Sequence, residues 1–152
     1  PQMHAFNEGV WGNLENKVRE WANALSSASD TLYVVTGCVL GLESVKGTHG
    51  KVGGYALDND GKKVAIPTGY YKAVLRYQKN STYGFKGYAG CAFYSEHRDY
   101  GKASISKSMA LSIDELEEIL GIDLFVNLPA VLGEADAAKV ESQDPQNVQI
   151  WW

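Results

Sequence analysis

Residues 1–25 read PQMHAFNEGVWGNLENKVREWANAL. Trp11, Leu14, Val18, Trp21, Ala22 and Leu25 recur at the three- and four-residue spacing that gathers side chains on one face of an α-helix. The spacing predicts a helix from about Asn7 to Leu25, with this apolar stripe turned into a core. The polar side of the same helix displays Asn7, Glu8, Glu15 and Arg19. Asn is a favoured N-cap and Glu suits a first turn, so capping and solvation account for part of that display. Glu15 and Arg19, four residues apart, also make an ordinary ion pair contributing a few tenths of a kcal/mol. The competing reading of these residues is a metal site.

The rest of the chain sets the bounds. It has 152 residues, 45% apolar and 11% aromatic, enough to bury a full core, so residues 1–152 are expected to form a single domain. The longest apolar stretch, LYVVTGCVLGL, falls well short of the about 20 residues that span a membrane. Pro1 is preceded by no initiator Met and followed by no signal-peptide pattern, so the chain is expected to be processed or a portion of a longer product. A net charge of −4 argues against coating nucleic acid by bulk charge but leaves room for a local basic groove. Cys38 and Cys91 are too few for a disulfide framework and lack zinc spacing. They are either one bridge between neighbouring strands or two buried free thiols.

After SSASD, the run TLYVVTGCVLGL is β-branched and apolar, as expected of a central strand buried on both faces. Residues 41–64 are glycine-rich and contain Asn-Asp-Gly, which predicts a long loop or a ragged hairpin. IPTGYYKAVLRYQ alternates: Tyr71, Ala73, Leu75 and Tyr77 face a core, while Lys72, Val74, Arg76 and Gln78 form a partly basic opposite face. A turn at STYG leads to FKGYAGCAFYS, so these two strands form an antiparallel hairpin. SIDELEEILG carries a capping box, Ser112 with Glu115, and a stop at Gly121. LPAVLGEADAAKVES reads as one further helix with Pro129 in its first turn, and DPQNVQIWW as an extended tail tucked onto the body by its tryptophans.

The pattern Asn-Glu-Gly-x-Trp-x-x-Leu-Glu-x-x-x-Arg, set by Asn7, Glu8, Gly9, Trp11, Leu14, Glu15 and Arg19, resembles the metal-binding helix of the DNA/RNA non-specific endonucleases. These are the ββα-metal nucleases of the Serratia-nuclease and endonuclease G type. LYVVTGCVL, IPTGYYKAVL and SIDELEEILGIDLFVNLP resemble further segments of that family in the same order, so the likeness covers nearly all of residues 1–130. The fold it implies is α+β: an antiparallel central β-sheet packed with helices, His-Me finger endonuclease-like and lacking its N-terminal part. The chain would then be the C-terminal portion of a nuclease domain.

The resemblance also implies roles. Asn7 would be the direct protein ligand of a single Mg²⁺, Glu15 would hold the water shell of the metal, and Arg19 would lie near the scissile phosphate. Gln2 matches a polar active-site position. Eight residues of regular helix span roughly 12 Å, too far for Asn7 and Glu15 both to ligate one ion, so Glu15 would act through water. Phosphate contacts from Arg19, Lys72 and Arg76 would ignore base identity, giving a Mg²⁺-dependent, sequence-nonspecific endonuclease acting on DNA and RNA.

One departure from the family pattern is large. The Asp-Arg-Gly-His segment that supplies the general-base histidine is absent, and His4, His49 and His97 match no family position. The chain by itself is therefore expected to be inactive, and to pair with a second copy or with its own N-terminal fragment. The resemblance suggests a secreted or periplasmic protein. The alternative function is a catalytically inactive nuclease-like binding or structural module, which nine tyrosines and four tryptophans would permit.

Overall fold

A computed structural model of the chain describes residues 1–41 and 54–152. The N-terminal helix starts earlier than its apolar stripe suggested and is not regular. It consists of α1 (His4–Phe6), a π-helical turn (Asn7–Trp11) and α2 (Gly12–Asn23). Gly9 sits inside the π turn at φ −90°, ψ −120°, outside helical space. A Cβ on Gly12 would lie 2.8 Å from the backbone oxygen of Asn7, so only glycine fits where the wide turn closes. The stripe itself is inward: Trp11, Leu14 and Trp21 are buried and Val18 packs against them, joined by Phe6 and Val10. Ala22 is exposed and Leu25 half-buried, because the helix ends at Asn23.

Three long strands make one antiparallel sheet in the order β1 (Thr31–Val39), β4 (Gly69–Tyr77), β5 (Tyr88–Glu96). The hairpin of β4 and β5 forms as expected, in the register Val74↔Cys91. The expected central strand does not: β1 pairs with β4 alone (Val34↔Val74) and lies at the sheet edge, with Tyr33 47% and Val34 42% exposed. A β-branched apolar run meets the needs of a buried strand and of an edge strand equally, so composition could not place it. The centre is β4, and both of its faces are covered. Lys72 and Arg76, expected on an open basic face, are 6% and 5% exposed.

One sheet face carries the N-terminal helix and the C-terminal tail: Phe6, Trp11, Leu14 and Trp21 meet Val74, Cys91, Phe93 and Trp151. The other carries α3 (Ile113–Leu120), α4 (Leu128–Leu132) and α5 (Glu134–Glu141), which pack Ile113, Leu116, Leu128 and Val140 on Ala73, Leu75 and Ala92. The capping box at Ser112 and the left-handed Gly121 are as expected. The further helix is split in two, because Gly133 at φ 84°, ψ 153° breaks the chain direction between α4 and α5.

The tail forms two 3₁₀ turns rather than an extended strand, yet it is tucked in by Trp151, whose carbonyl accepts from Trp21 Nε1 at 3.1 Å. A small hairpin, β2 (Tyr55–Leu57) with β3 (Lys63–Ala65), turns at Asp58–Gly61. The remainder of the glycine-rich segment, His49 included, lies outside the described residues. Cys38 and Cys91 are both free, the first exposed and only the second buried.

Candidate functional site

The N-terminal helix is held from beneath by aromatic packing. Trp11 is 4% exposed. Its ring stacks on Phe6 at 5.7 Å between centroids and tilts against Tyr70 at 5.5 Å. The Lys72 ammonium lies 4.9 Å from the Trp11 ring centroid and donates a 2.6 Å hydrogen bond to Thr36 Oγ1 on the neighbouring strand. A buried ammonium over an aromatic face gains from the ring quadrupole and loses hydration. Burial pushes the Lys72 pKa below its ordinary value, with Glu15 opposing the shift and Arg19 adding to it. Lys72 thus belongs electrically to the helix above it.

The outer side of the helix is open. Asn7 is exposed in the π turn, its N–H bonded to the Met3 carbonyl at 2.9 Å. Glu15 is half-buried, and its Oε2 lies 3.9 Å from Arg19 Nη2. That distance makes an ion pair without a hydrogen bond. The Arg19 guanidinium is exposed and donates to Asn16 Oδ1 at 2.6 Å. Gln2 is exposed just before Met3.

Arg76 does not join this group. It stands four residues along β4 from Lys72, roughly 13 Å at strand rise. Burial lowers its pKa, and Asp30 is the charge that opposes the shift.

The two histidines among the described residues are otherwise engaged. His4 is exposed and its Nε2 pairs with Glu8 Oε2 at 3.1 Å. His97 uses both ring nitrogens on backbone: Nδ1 with the Pro67 carbonyl at 2.8 Å and Nε2 with the Met3 N–H at 2.7 Å. A base needs a nitrogen free to take a proton from water, and His97 has none to offer in this arrangement. Its partnership with Met3 had no signal in the sequence, since the two residues are 94 positions apart.

Among the described residues no three His, Cys, Asp or Glu side chains gather as a metal cluster. Mg²⁺ does not require one, because it takes hard oxygen ligands and usually keeps several waters. The Asn7 amide oxygen and the Glu15 carboxylate are donors of that kind, so the residues present fit the ion.

Residues 1–131 match the family model described as DNA/RNA non-specific endonuclease. Among solved structures the fold matches one described as "Crystal structure of the EndoG/EndoGI complex: Mechanism of EndoG inhibition", with a TM-score of 0.52 and 18% identity. That match covers 82% of this chain and 46% of the other, so the chain spans less than half the length of that relative. No curated protein matches. With most of its length matched by the family model, the chain belongs to the DNA/RNA non-specific endonuclease family.

Proposed function

We propose that this chain supplies the metal-binding helix of a Mg²⁺-dependent endonuclease that cleaves DNA and RNA phosphodiester bonds without regard to sequence. The observation that carries the reading is the two-sided helix. Asn7, Glu15 and Arg19 are presented outward, while Trp11 and Lys72 lock the opposite side to the sheet. Asn7 would hold the ion through its amide oxygen, and Glu15 would accept hydrogen bonds from water around it. The ion, when bound, supplies positive charge to a phosphate oxygen. Arg19 presents exposed N–H donors to the same phosphate, where charge builds during displacement. Lys72 adds positive potential from below and does not touch substrate. Arg76, buried beside Asp30, is left out of the substrate contacts.

Asn7→Ala in the complete gene product should abolish Mg²⁺-dependent plasmid degradation while leaving the thermal melt within about 1 kcal/mol of the parent, because an exposed amide contributes little to stability. Equal cleavage by variant and parent removes the assignment. The 152-residue chain alone should not cleave: it contains no Asp-Arg-Gly-His segment, and His4 and His97 are engaged as described. Its partner would dock at β1. Among the described residues no strand pairs with the outer edge of β1, and an apolar groove of about 460 Å³ lined by Tyr33, Val35, Leu75, Tyr88, Phe125 and Val131 lies over the adjoining sheet face. Exposed edges and apolar grooves favour pairing, so sedimentation should find the chain dimeric or bound to its own N-terminal part. A monomer that cleaves as fast as the complete product would overturn both statements.

A further inference from the structure

We propose that His97 is a positioning residue for the metal helix, acting on Asn7 through Met3 and only in one tautomer. This rests on the reading of Asn7 as the metal ligand. Met3 precedes the first helical residue and has no side-chain cap. Its carbonyl accepts the Asn7 N–H at 2.9 Å and so fixes where the π turn begins. Its own N–H points away from that turn and is taken by His97 Nε2 at 2.7 Å. The ring is fixed from its other side by Nδ1 and the Pro67 carbonyl at 2.8 Å.

The chemistry of the two partners dictates the tautomer. A carbonyl can only accept, so Nδ1 carries the proton; a backbone N–H can only donate, so Nε2 carries none. Phe6 and Tyr70 hold the ring edge-on, each at 5.2 Å between centroids and close to perpendicular. The His97 backbone is itself tied to the sheet end, its N–H donating to the Thr68 carbonyl at 2.8 Å. His97 therefore joins the sheet end and the Pro67 segment to the residue on which Asn7 hangs. Tyr70 Oη also donates to the Pro1 carbonyl on this terminus, at a longer 3.5 Å.

Four forms of the chain test the proposal: the parent, His97→Leu, His97→Gln and Asn7→Ala. Long-range ¹H–¹⁵N spectra of the parent should show His97 protonated on Nδ1 and bare on Nε2. His97→Leu should speed amide exchange of Met3 by about tenfold, the scale of one lost hydrogen bond. It should also weaken Mn²⁺ binding several-fold, read from the free-ion paramagnetic resonance signal. His97→Gln, which keeps an acceptor within reach of Met3, should recover part of both. Asn7→Ala should lose Mn²⁺ binding while keeping the parent's tautomer and Met3 protection.

A proton on Nε2 in the parent, or unchanged Met3 exchange in His97→Leu, overturns the contact. Lost Met3 protection with parental Mn²⁺ affinity reduces His97 to a structural tie and overturns the positioning role. Parental Mn²⁺ affinity in Asn7→Ala instead overturns the ligand reading, which the tautomer and exchange data leave separate. If His97→Leu fails to fold, the parent's tautomer and His97→Gln decide.

Discussion

Replacing Trp11 by alanine tests the support of the helix directly. The indole is 4% exposed and touches Phe6, Tyr70 and the Lys72 ammonium. Emptying a buried aromatic site costs about 3–5 kcal/mol. Area bookkeeping agrees: an aromatic side chain buries about 150–250 Å², worth about 4–6 kcal/mol at 25 cal/mol per Å². Lys72 would gain water through the opened space, which offsets part of its lost ring contact, so about 4 kcal/mol is the central expectation. For a domain of this size each kcal/mol moves the melting temperature by about 2–4 °C, giving a fall of about 8–16 °C. Urea titration and thermal melting by circular dichroism measure it, with Trp11→Phe as the control that keeps a ring and should lose far less. A shift under about 1 kcal/mol for Trp11→Ala would refute the packing of the helix on β4.

Lys72→Met should leave the melting temperature unchanged or raise it, since replacing a buried charge by an apolar side chain of similar size is often neutral or stabilising; a fall above about 2 kcal/mol would show the bond to Thr36 to be structural. Glu141 is pushed up to about 7 by burial and by Glu117, Asp114, Asp123 and Glu134. A raised carboxylate binds its proton more tightly in the folded state, so its stabilising effect is complete below the ordinary Glu range and is lost as pH rises toward about 7. Glu141→Gln should therefore raise the melting temperature at alkaline pH and leave it unchanged in acid, and a variant no more stable than the parent above neutrality would contradict this. Ser112→Ala removes an N-cap whose Oγ accepts from Glu115 N at 3.1 Å. It should cost about 1 kcal/mol, and thermal melts that coincide would show the capping box to be dispensable.

What the sequence made legible follows from range. Local signals held: the capping box at Ser112, the stop at Gly121, the hairpin of β4 and β5 and the buried Trp11 stripe each depend on residues a few positions apart. Signals that depend on distant partners did not. An apolar strand says nothing about how many neighbours it has, so β1 was placed at the centre of a sheet whose centre is β4. Alternation along β4 assigned Lys72 and Arg76 to a partly basic face, because whatever covers a strand leaves no mark on the strand itself. Gly133 could have warned of a break, yet a single glycine inside a helical pattern is often tolerated. At the site, Asn7, Glu15 and Arg19 stood out through the resemblance of their pattern to a family motif; the ties to Lys72 and His97 left no trace in the sequence.

The irregular start of the helix, which the spacing did not predict, bears on the site. Phe6, Val10, Leu14 and Val18 advance by four residues each time, as do Asn7, Trp11, Glu15 and Arg19. Four residues of a regular helix turn about 400°, so each step overshoots by about 40° and three steps by about 120°. That drift spreads Phe6, Leu14 and Val18 over about 120° of a regular helix, a wide core-facing stripe, and all three pack in one core. The chain changes direction inside Asn7–Trp11, where Gly9 at φ −90°, ψ −120° kinks the helix, and the close approach of Gly12 to the Asn7 carbonyl admits no side chain. In the second series Trp11 is buried while Asn7 and Arg19 are exposed and Glu15 is half-buried, so Asn7 stands on the far side of the kink from the regular helix that carries Glu15 and Arg19. The span of roughly 12 Å for a regular helix is thus no fixed measure of this one. The kink that lies among Phe6, Val10 and Leu14 in the core also sets where Asn7 stands, so the packing of one side of the helix and the proposed chemistry of the other share one backbone feature.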